Sequence, residues 1–387
     1  QPDLGPRSST NTNYTAMLNY SHIGKNSQIN YGFEFNGFNT NFSFVNPFNL
    51  TFTQEDFTTE LNAFAKYKHT FGKLIIEPGL RAQFYASQST VSIEPRFGMK
   101  FNATKSLRFK AAGGLYSQNL ISTQNDLDIV NFFTGFLAGP EETLFEPNSN
   151  TPTDDRLQKA THAIAGFEID VTDKILVNIE GYYKGFGQLI DLNRNKLLTT
   201  DPNFVTLTGD AYGGDISAEY RSGRIFLSGN YTLGWVDRND GTQTFPTSFD
   251  RRHNMNILGS YKFGRDNAYE LGMRWNLGSA FPFTQTQGFY EAPTTGSNPV
   301  ILDILTNNGD IGVLLSNNIN GGRLADFHRL DASLKRTFKF GEESSLEITA
   351  SVTNAYNREN IFFVDRVTNN RVNQLPILPS LTATFQY

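Results

Sequence analysis

The sequence predicts an all-β chain, a transmembrane antiparallel β-barrel of which about fifteen strands are visible. Three observations predict it. Apolar residues recur at every second position in segment after segment, the period of a strand with two unlike faces. Connections alternate between tight turns and long segments, as in membrane barrels with short turns at one rim and long loops at the other. Of 387 residues only 18% are charged and 38% hydrophobic, while Phe reaches 34 and Tyr 16. That balance suits strands with one side on lipid and the other on water.

Residues 327–387 show the pattern most clearly. Leu330, Ala332, Leu334, Phe338 and Phe340 alternate with Arg329, Asp331, Ser333, Lys335, Thr337 and Lys339. After a turn at Gly341-Glu342-Glu343-Ser344, Leu346, Ile348, Ala350 and Val352 alternate with Glu347, Thr349, Ser351 and Thr353. The last strand sets Leu381, Ala383, Phe385 and Tyr387 against Ser380, Thr382, Thr384 and Gln386. Alternation up to the final residue is expected where the last strand must pair rather than fray.

The rest of the chain follows in order. Tyr14, Ala16, Leu18 and Tyr20 turn at Gly24-Lys25-Asn26 into Ile29, Tyr31, Phe33 and Phe35. A long polar and aromatic connection is expected from Val45 to Asp56. Leu61, Ala63, Ala65 and Tyr67 descend to a turn at Phe71-Gly72-Lys73. Strands over 76–84 and 91–101 are joined by a modest loop, and Asn102-Ala103-Thr104-Lys105 turns into Leu107, Phe109, Ala111, Gly113 and Leu115. The longest excursion, 117–156, has room for a short helix. Ala163, Ala165, Phe167, Ile169 and Val171 turn at Thr172-Asp173-Lys174 into Ile175, Val177, Ile179, Gly181 and Tyr183. A second long excursion is expected to reach Tyr212-Gly213-Gly214. Further strands are read at 216–220, 225–235, 255–263 and 269–277, with long segments at 237–250 and 281–326.

Composition excludes several classes. A net charge of −5 gives no case for nucleic acid. The absence of cysteine removes disulfides, thiolate metal sites and thiol catalysis. No run of eighteen apolar residues exists, so no transmembrane helix is expected. Asp237-Arg238-Asn239-Asp240-Gly241 lacks the closing Glu of a calcium loop and reads as a plain turn. His22, His69, His162, His253 and His328 have no metal-ligand spacing. There is no G-x-S-x-G, P-loop or dinucleotide fingerprint. Glu141-Glu142 and Asp154-Asp155 lie in expected loops, where solvated charge is the default. Neither an enzyme nor a cofactor is expected. A soluble sandwich alternates equally well, but a propeller would show a repeat of four strands per blade, and none is found.

Charged residues such as Glu94, Glu168, Glu180 and Glu347 fall opposite the apolar faces, and Arg96, Glu219, Arg274, Arg329 and Asp331 are expected to line a lumen and face a plug. If tight turns mark the periplasmic rim, the C-terminus is periplasmic and residues 1–13 are extracellular. An odd strand count starting outside predicts the C-terminal part of a longer chain. Gln1-Pro2-Asp3-Leu4-Gly5-Pro6 has no signal-peptide form, so an export signal is expected to be removed or to lie outside this stretch.

Several segments resemble the barrel of TonB-dependent outer-membrane transporters. They are Ile76-Glu77-Pro78-Gly79-Leu80-Arg81, Ile93-Glu94-Pro95-Arg96-Phe97, residues 248–256 with Asp250-Arg251-Arg252-His253, Gly278-Ser279-Ala280-Phe281-Pro282-Phe283-Thr284, His328-Arg329-Leu330-Asp331, residues 352–360 with Asn354 and Asn360, and the terminal strand. The Asn- and Phe-rich style resembles Bacteroidota versions. The resemblance implies a 22-stranded barrel with an N-terminal plug, energised by TonB. Residues 1–387 are then the C-terminal barrel portion, with the plug and early strands outside this sequence. It implies uptake of a scarce nutrient (siderophore-iron, a cofactor or a glycan). Outer-membrane lipid, the TonB complex reached through the plug, the barrel-assembly machinery and a surface lipoprotein are the implied partners. Phe385 and Tyr387 would form the assembly signal. A passive porin-like channel, or a structural barrel subunit of a larger complex, is the alternative. Among the loop aromatics Phe132, Phe133, Phe136, Trp235, Phe245 and Tyr290 are expected to contact ligand, since rings among polar groups suit an amphipathic molecule.

Overall fold

The computed structural model describes residues 8–45, 51–127, 135–154, 156–193, 196–292, 310–341 and 344–387. Fifteen long strands pair in sequence order into one antiparallel sheet. They are β1 (Ser8–Ile23), β2 (Ser27–Val45), β3 (Thr51–Phe71), β4 (Leu74–Tyr85), β5 (Thr90–Asn102), β6 (Leu107–Gln118), β7 (Gln158–Thr172) and β8 (Ile175–Leu192). There follow β9 (Phe204–Ser222), β10 (Ile225–Asn239), β11 (His253–Phe263), β12 (Tyr269–Gly278), β13 (Phe327–Phe340), β14 (Ser344–Thr353) and β15 (Leu378–Gln386). A three-residue strand, Thr244–Pro246, adds to the edge of β10.

Every second connection is a tight turn, and these all lie at one rim. Positive φ at Gly72 (58°) and Gly341 (77°) explains why glycine closes two of them. The C-terminus ends at the same rim, because β15 runs antiparallel to β14 with Gln386 opposite Ser345.

Register carries one apolar face from strand to strand. Leu61 lies opposite Phe84, Phe101 opposite Phe109, Phe109 opposite Phe167, Ile179 opposite Ile216, and Leu271 opposite Leu334. On this face Leu18, Phe33, Val91, Leu227, Met273 and Leu381 are exposed. The other face is polar and concave. Curvature follows from the rings of Phe52 in β3 and Phe204 in β9, whose centroids are 5.9 Å apart. Six strand spacings of a flat sheet would separate them by roughly 29 Å.

Three expectations are corrected. The connection after Val45 is not long: β2 and β3 continue as a hairpin over 19 and 21 residues, well past the ~10 a membrane crossing needs. Above Phe35 the apolar phase reverses, so that Phe42, Phe44 and Phe52 point to the concave side while Thr53 and Glu55 point out; polar outward residues no longer signal lipid, and the strand reads as loop. For the same reason β9 begins at Phe204 rather than near Tyr212, and residues 8–13 already belong to β1. The excursion 117–156 shows no helix among its described residues; it forms a short ribbon of Ile121–Ser122 with Phe136–Leu137.

Among the described residues the sheet does not close on itself. Among these residues β1 pairs only with β2, and β15 only with β14.

The two faces make a direct prediction. Leu334 lies mid-strand in β13 on the outward face, opposite Leu271 and Ala350. Leu334→Arg should cost about 2–4 kcal/mol at the depth of a bilayer midplane. Loss of heat-modifiable gel mobility is the expected result, and normal insertion would contradict the lipid-facing assignment.

Candidate site at the mouth of the concave face

Two levels of the concave face carry distinct chemistry. Along the strands it is a wall of ion pairs. Arg108 bonds Glu168 at 2.5 Å and Asp170 at 2.7 Å, Lys110 reaches Glu180 at 3.0 Å, and Lys335 reaches Glu270 at 3.1 Å. Each of the five residues expected to line the lumen lies on this wall. Arg96 pairs with Glu94 at 2.6 Å and covers the Tyr116 ring at 4.4 Å. Glu94 is only 1% exposed, and also accepts the backbone N–H and hydroxyl of Ser117. Glu219 pairs with Arg221, Arg274 donates to Asn276 and sits opposite Asp331, and Arg329 pairs with Asp331 at 3.0 Å. Paired charges of this density keep a wall wet or complementary to another polar surface.

Above the wall, the long connections fold together. The segment between β6 and β7 is the hub. Phe42, Phe44, Ile121, Leu137, Leu144, Ile190, Leu192 and Phe204 form one buried cluster, with Phe52 against it. Around it, Asp126 accepts from Arg238 (2.9 Å) and from the Ser248 N–H (2.7 Å), and Glu142 accepts the N–H groups of Asn203 and Phe204. Arg366, from the connection before β15, donates to the Leu127 carbonyl at 2.9 Å.

A second tie is Asp250. It is fully buried, pairs with Arg252 at 3.0 Å and Arg323 at 2.7 Å, and accepts the Val236 N–H at 3.0 Å. Arg323 also donates to the Ala280 carbonyl at 3.0 Å. Buried Asn320 donates its N–H to Thr284 and its amide to the Pro246 carbonyl. Buried Asn354 accepts from the Arg358 N–H and donates to two loop carbonyls, while its own N–H goes to Asp331.

These ties frame a cleft of about 680 Å³. Its lining includes Phe249, Phe281, Phe283, Phe289, Phe327 and Phe362, together with Arg251. Arg251 lies against two rings, its guanidinium carbon 4.0 Å from the Phe281 centroid and 5.5 Å from that of Phe327. It also lies against Gly278, where an added methyl group would run into the guanidinium. No carboxylate or hydrogen-bond partner meets it among the described residues, its Nε is buried without an acceptor, and burial pulls its pKa down from the usual guanidinium range. A cation held against aromatic rings with no counter-ion is built to meet an anion.

Of the aromatics expected at the ligand, those among the described residues do not line this cleft. Phe132 and Phe133 fall outside the described residues. Phe136 sits in the short ribbon, its N–H donated to Ser9. Trp235 is on the outward face, stacked on Tyr212 at 5.3 Å. Phe245 is buried in the short strand on β10, and Tyr290 lies over Gly312 in the ribbon of Thr286–Ala292 with Asp310–Leu315. The cleft uses their neighbours instead, and Phe249, Arg251, Phe281 and Phe283 all lie inside segments already singled out by resemblance.

Known structures match this geometry. The ferric-catecholate import receptor Fiu from E. coli K12, in its closed form, has a TM-score of 0.65 and 12% identity, over 98% of this chain and 55% of that one. The FrpB iron transporter from Neisseria meningitidis gives 0.63 and 12%, over 99% and 56%. The outer-membrane transporter YddB from Escherichia coli gives 0.58 and 11%, over 98% and 54%. The fold is that of an outer-membrane transporter barrel. Identities this low speak for the fold alone, and the chain spans about half the length of the solved structures it matches. No protein-family model and no curated protein matches the sequence. The wall and the cleft therefore rest on this chain's own residues.

Asp250→Asn should leave Arg252 and Arg323 without their anion. A loss of roughly 3 kcal/mol is expected for breaking a buried pair on one side. It is read as a lower midpoint of the heat-induced gel shift; an unchanged midpoint would contradict the role of Asp250 in tying the loops.

Proposed function

We propose that this chain is the C-terminal barrel portion of a TonB-dependent outer-membrane transporter that takes up an anionic, ring-bearing nutrient complex. The observation that carries the reading is the cleft: Arg251, without a counter-ion among the described residues, lies against Phe281 and Phe327 at the mouth of an ion-paired concave wall. Binding, not bond chemistry, is the mechanism. The phenylalanine rings take the apolar edges of the ligand, the guanidinium takes its charge, and the loop ties keep the cleft preformed. Arg96, Glu219, Arg274, Arg329 and Asp331 hold a plug against the wall, and its TonB-driven displacement opens a path.

Membership in a longer chain is supported by the two free sheet edges. About seven more strands would bring the fifteen seen to the twenty-two of such barrels. In that orientation the tight turns and C-terminus face the periplasm. Phe385 and Tyr387, stacked at 6.3 Å on the terminal strand, are read by the barrel-assembly machinery. A surface lipoprotein remains a proposed partner over the loops.

The test uses cells making the native chain and the ⁵⁵Fe complex of catecholate as probe. Energised cells should accumulate iron, a protonophore should abolish it, and Arg251→Gln should lower it about ten-fold, near the worth of one charge-assisted bidentate contact. Accumulation indifferent to the protonophore would favour a passive channel, and Arg251→Gln at wild-type rate would remove the cleft from the mechanism. Deleting residues 385–387 should lower the yield of assembled barrel; an unchanged yield would remove the terminal signal.

A further inference from the structure

The outward row of β13 reads Leu330, Ala332, Leu334, Arg336, Phe338 and Phe340. One cation interrupts a face otherwise made for hydrocarbon. Register fixes it there: Leu334 lies opposite Leu271, and Arg336 lies opposite Tyr269 on one side and Ile348 on the other. Two cations on the concave side of the same strand are paired, Lys335 with Glu270 at 3.1 Å and Arg329 with Asp331 at 3.0 Å. Arg336 is exposed and meets no carboxylate or hydrogen-bond partner among the described residues.

What it meets is rings. Its guanidinium carbon is 4.3 Å from the Phe338 centroid and 5.1 Å from that of Tyr269. Tyr269 continues a shelf through Phe263, stacked at 5.3 Å, to Tyr261, stacked on Phe263 at 5.8 Å. Height is set by the adjacent turn, because the N–H of Thr337 donates to the Ala268 carbonyl at 2.9 Å. Arg336 therefore stands at the tight-turn rim, where the apolar band of a membrane barrel gives way to headgroups.

We propose that Arg336, with the ring shelf of Tyr269 and Phe338, binds the phosphodiester headgroup of an anionic phospholipid. The inference rests on the membrane-barrel reading. A guanidinium offers two parallel N–H donors to phosphate oxygens, and the two neighbouring rings support it without using those donors. Hydrocarbon offers a charge nothing, so the side chain extends toward the headgroup level. Acyl chains then lie along Leu334, Leu271 and Ile348. Lys335 and Arg329 of the same strand are turned to the concave side and paired, so the headgroup contact is assigned to this one outward cation of β13.

The experiment takes the native chain, its R336Q variant and its R336K variant into a neutral maltoside detergent. Each is titrated with dioleoylphosphatidylglycerol or with dioleoylphosphatidylcholine, and bound lipid is counted by native mass spectrometry. The wild type should hold the glycerol lipid in preference to the choline lipid. R336Q should weaken phosphatidylglycerol binding about five-fold, the share of one cation at an anionic surface, and leave phosphatidylcholine unchanged. R336K should retain most of the preference. Equal phosphatidylglycerol binding by wild type and R336Q, with heat-modifiable mobility kept, overturns the headgroup site alone. A wild-type chain without heat-modifiable mobility overturns the barrel reading and the site with it.

Discussion

Backbone hydrogen bonding is the constraint on which the rest of the structure depends. A strand crossing hydrocarbon must satisfy every N–H and C=O against another strand, because lipid supplies no partner. Fifteen strands meet that demand side by side without a crossover. Pairing at a fixed two-residue period then sorts the side chains, lipid-compatible groups on one face and ion pairs on the other. The same constraint gives the two free edges their meaning. β1 and β15 each leave one side of a long strand unpaired, a state that a bilayer penalises at every second residue until further strands cover it.

Where the lipid ends, the constraint relaxes and the sorting reverses. Phe42, Phe44 and Phe52 turn inward and pack on Ile121, Leu137 and Leu144 of the hub. Water now covers the outer side, so apolar residues retreat to the concave one. The long connections that meet there are fixed by a few buried polar residues, Asp250, Asn320 and Asn354, each satisfied by several partners. A cleft framed this way is rigid, and the unpaired Arg251 within it is held ready for its ligand rather than drawn to a neighbour.

The alternation and the tight turns made the strands from Leu74 to Gln118 and from Gln158 onward readable from sequence, except for the first half of β9. A period of two is local, and glycine at positive φ marks a turn by itself. The upper hairpin of β2 and β3 was not readable, because its phase reversal looks like the end of a strand. The charged residues of the concave face could be placed from the alternation, while the cleft could not. Trp235, Phe245 and Tyr290 were chosen by residue type, but what brings Phe249, Phe281 and Phe362 together is pairing such as Asp250 with Arg323, 73 residues apart. No single-sequence pattern encodes that distance. The segments that resembled known transporters turn out to hold the anchors Asp250, Thr284, Asn354 and Asn360, so the resemblance reports architecture more than ligand.

The central claim is that these 387 residues are an arc of a larger barrel. The intact mass of the native chain, extracted from its own membrane, tests it most directly. The account predicts a mass well above that of this chain, by several hundred residues carrying the plug and the strands that close the sheet. A mass equal to that of these 387 residues would contradict it, and would leave the free edges to be covered by another polypeptide.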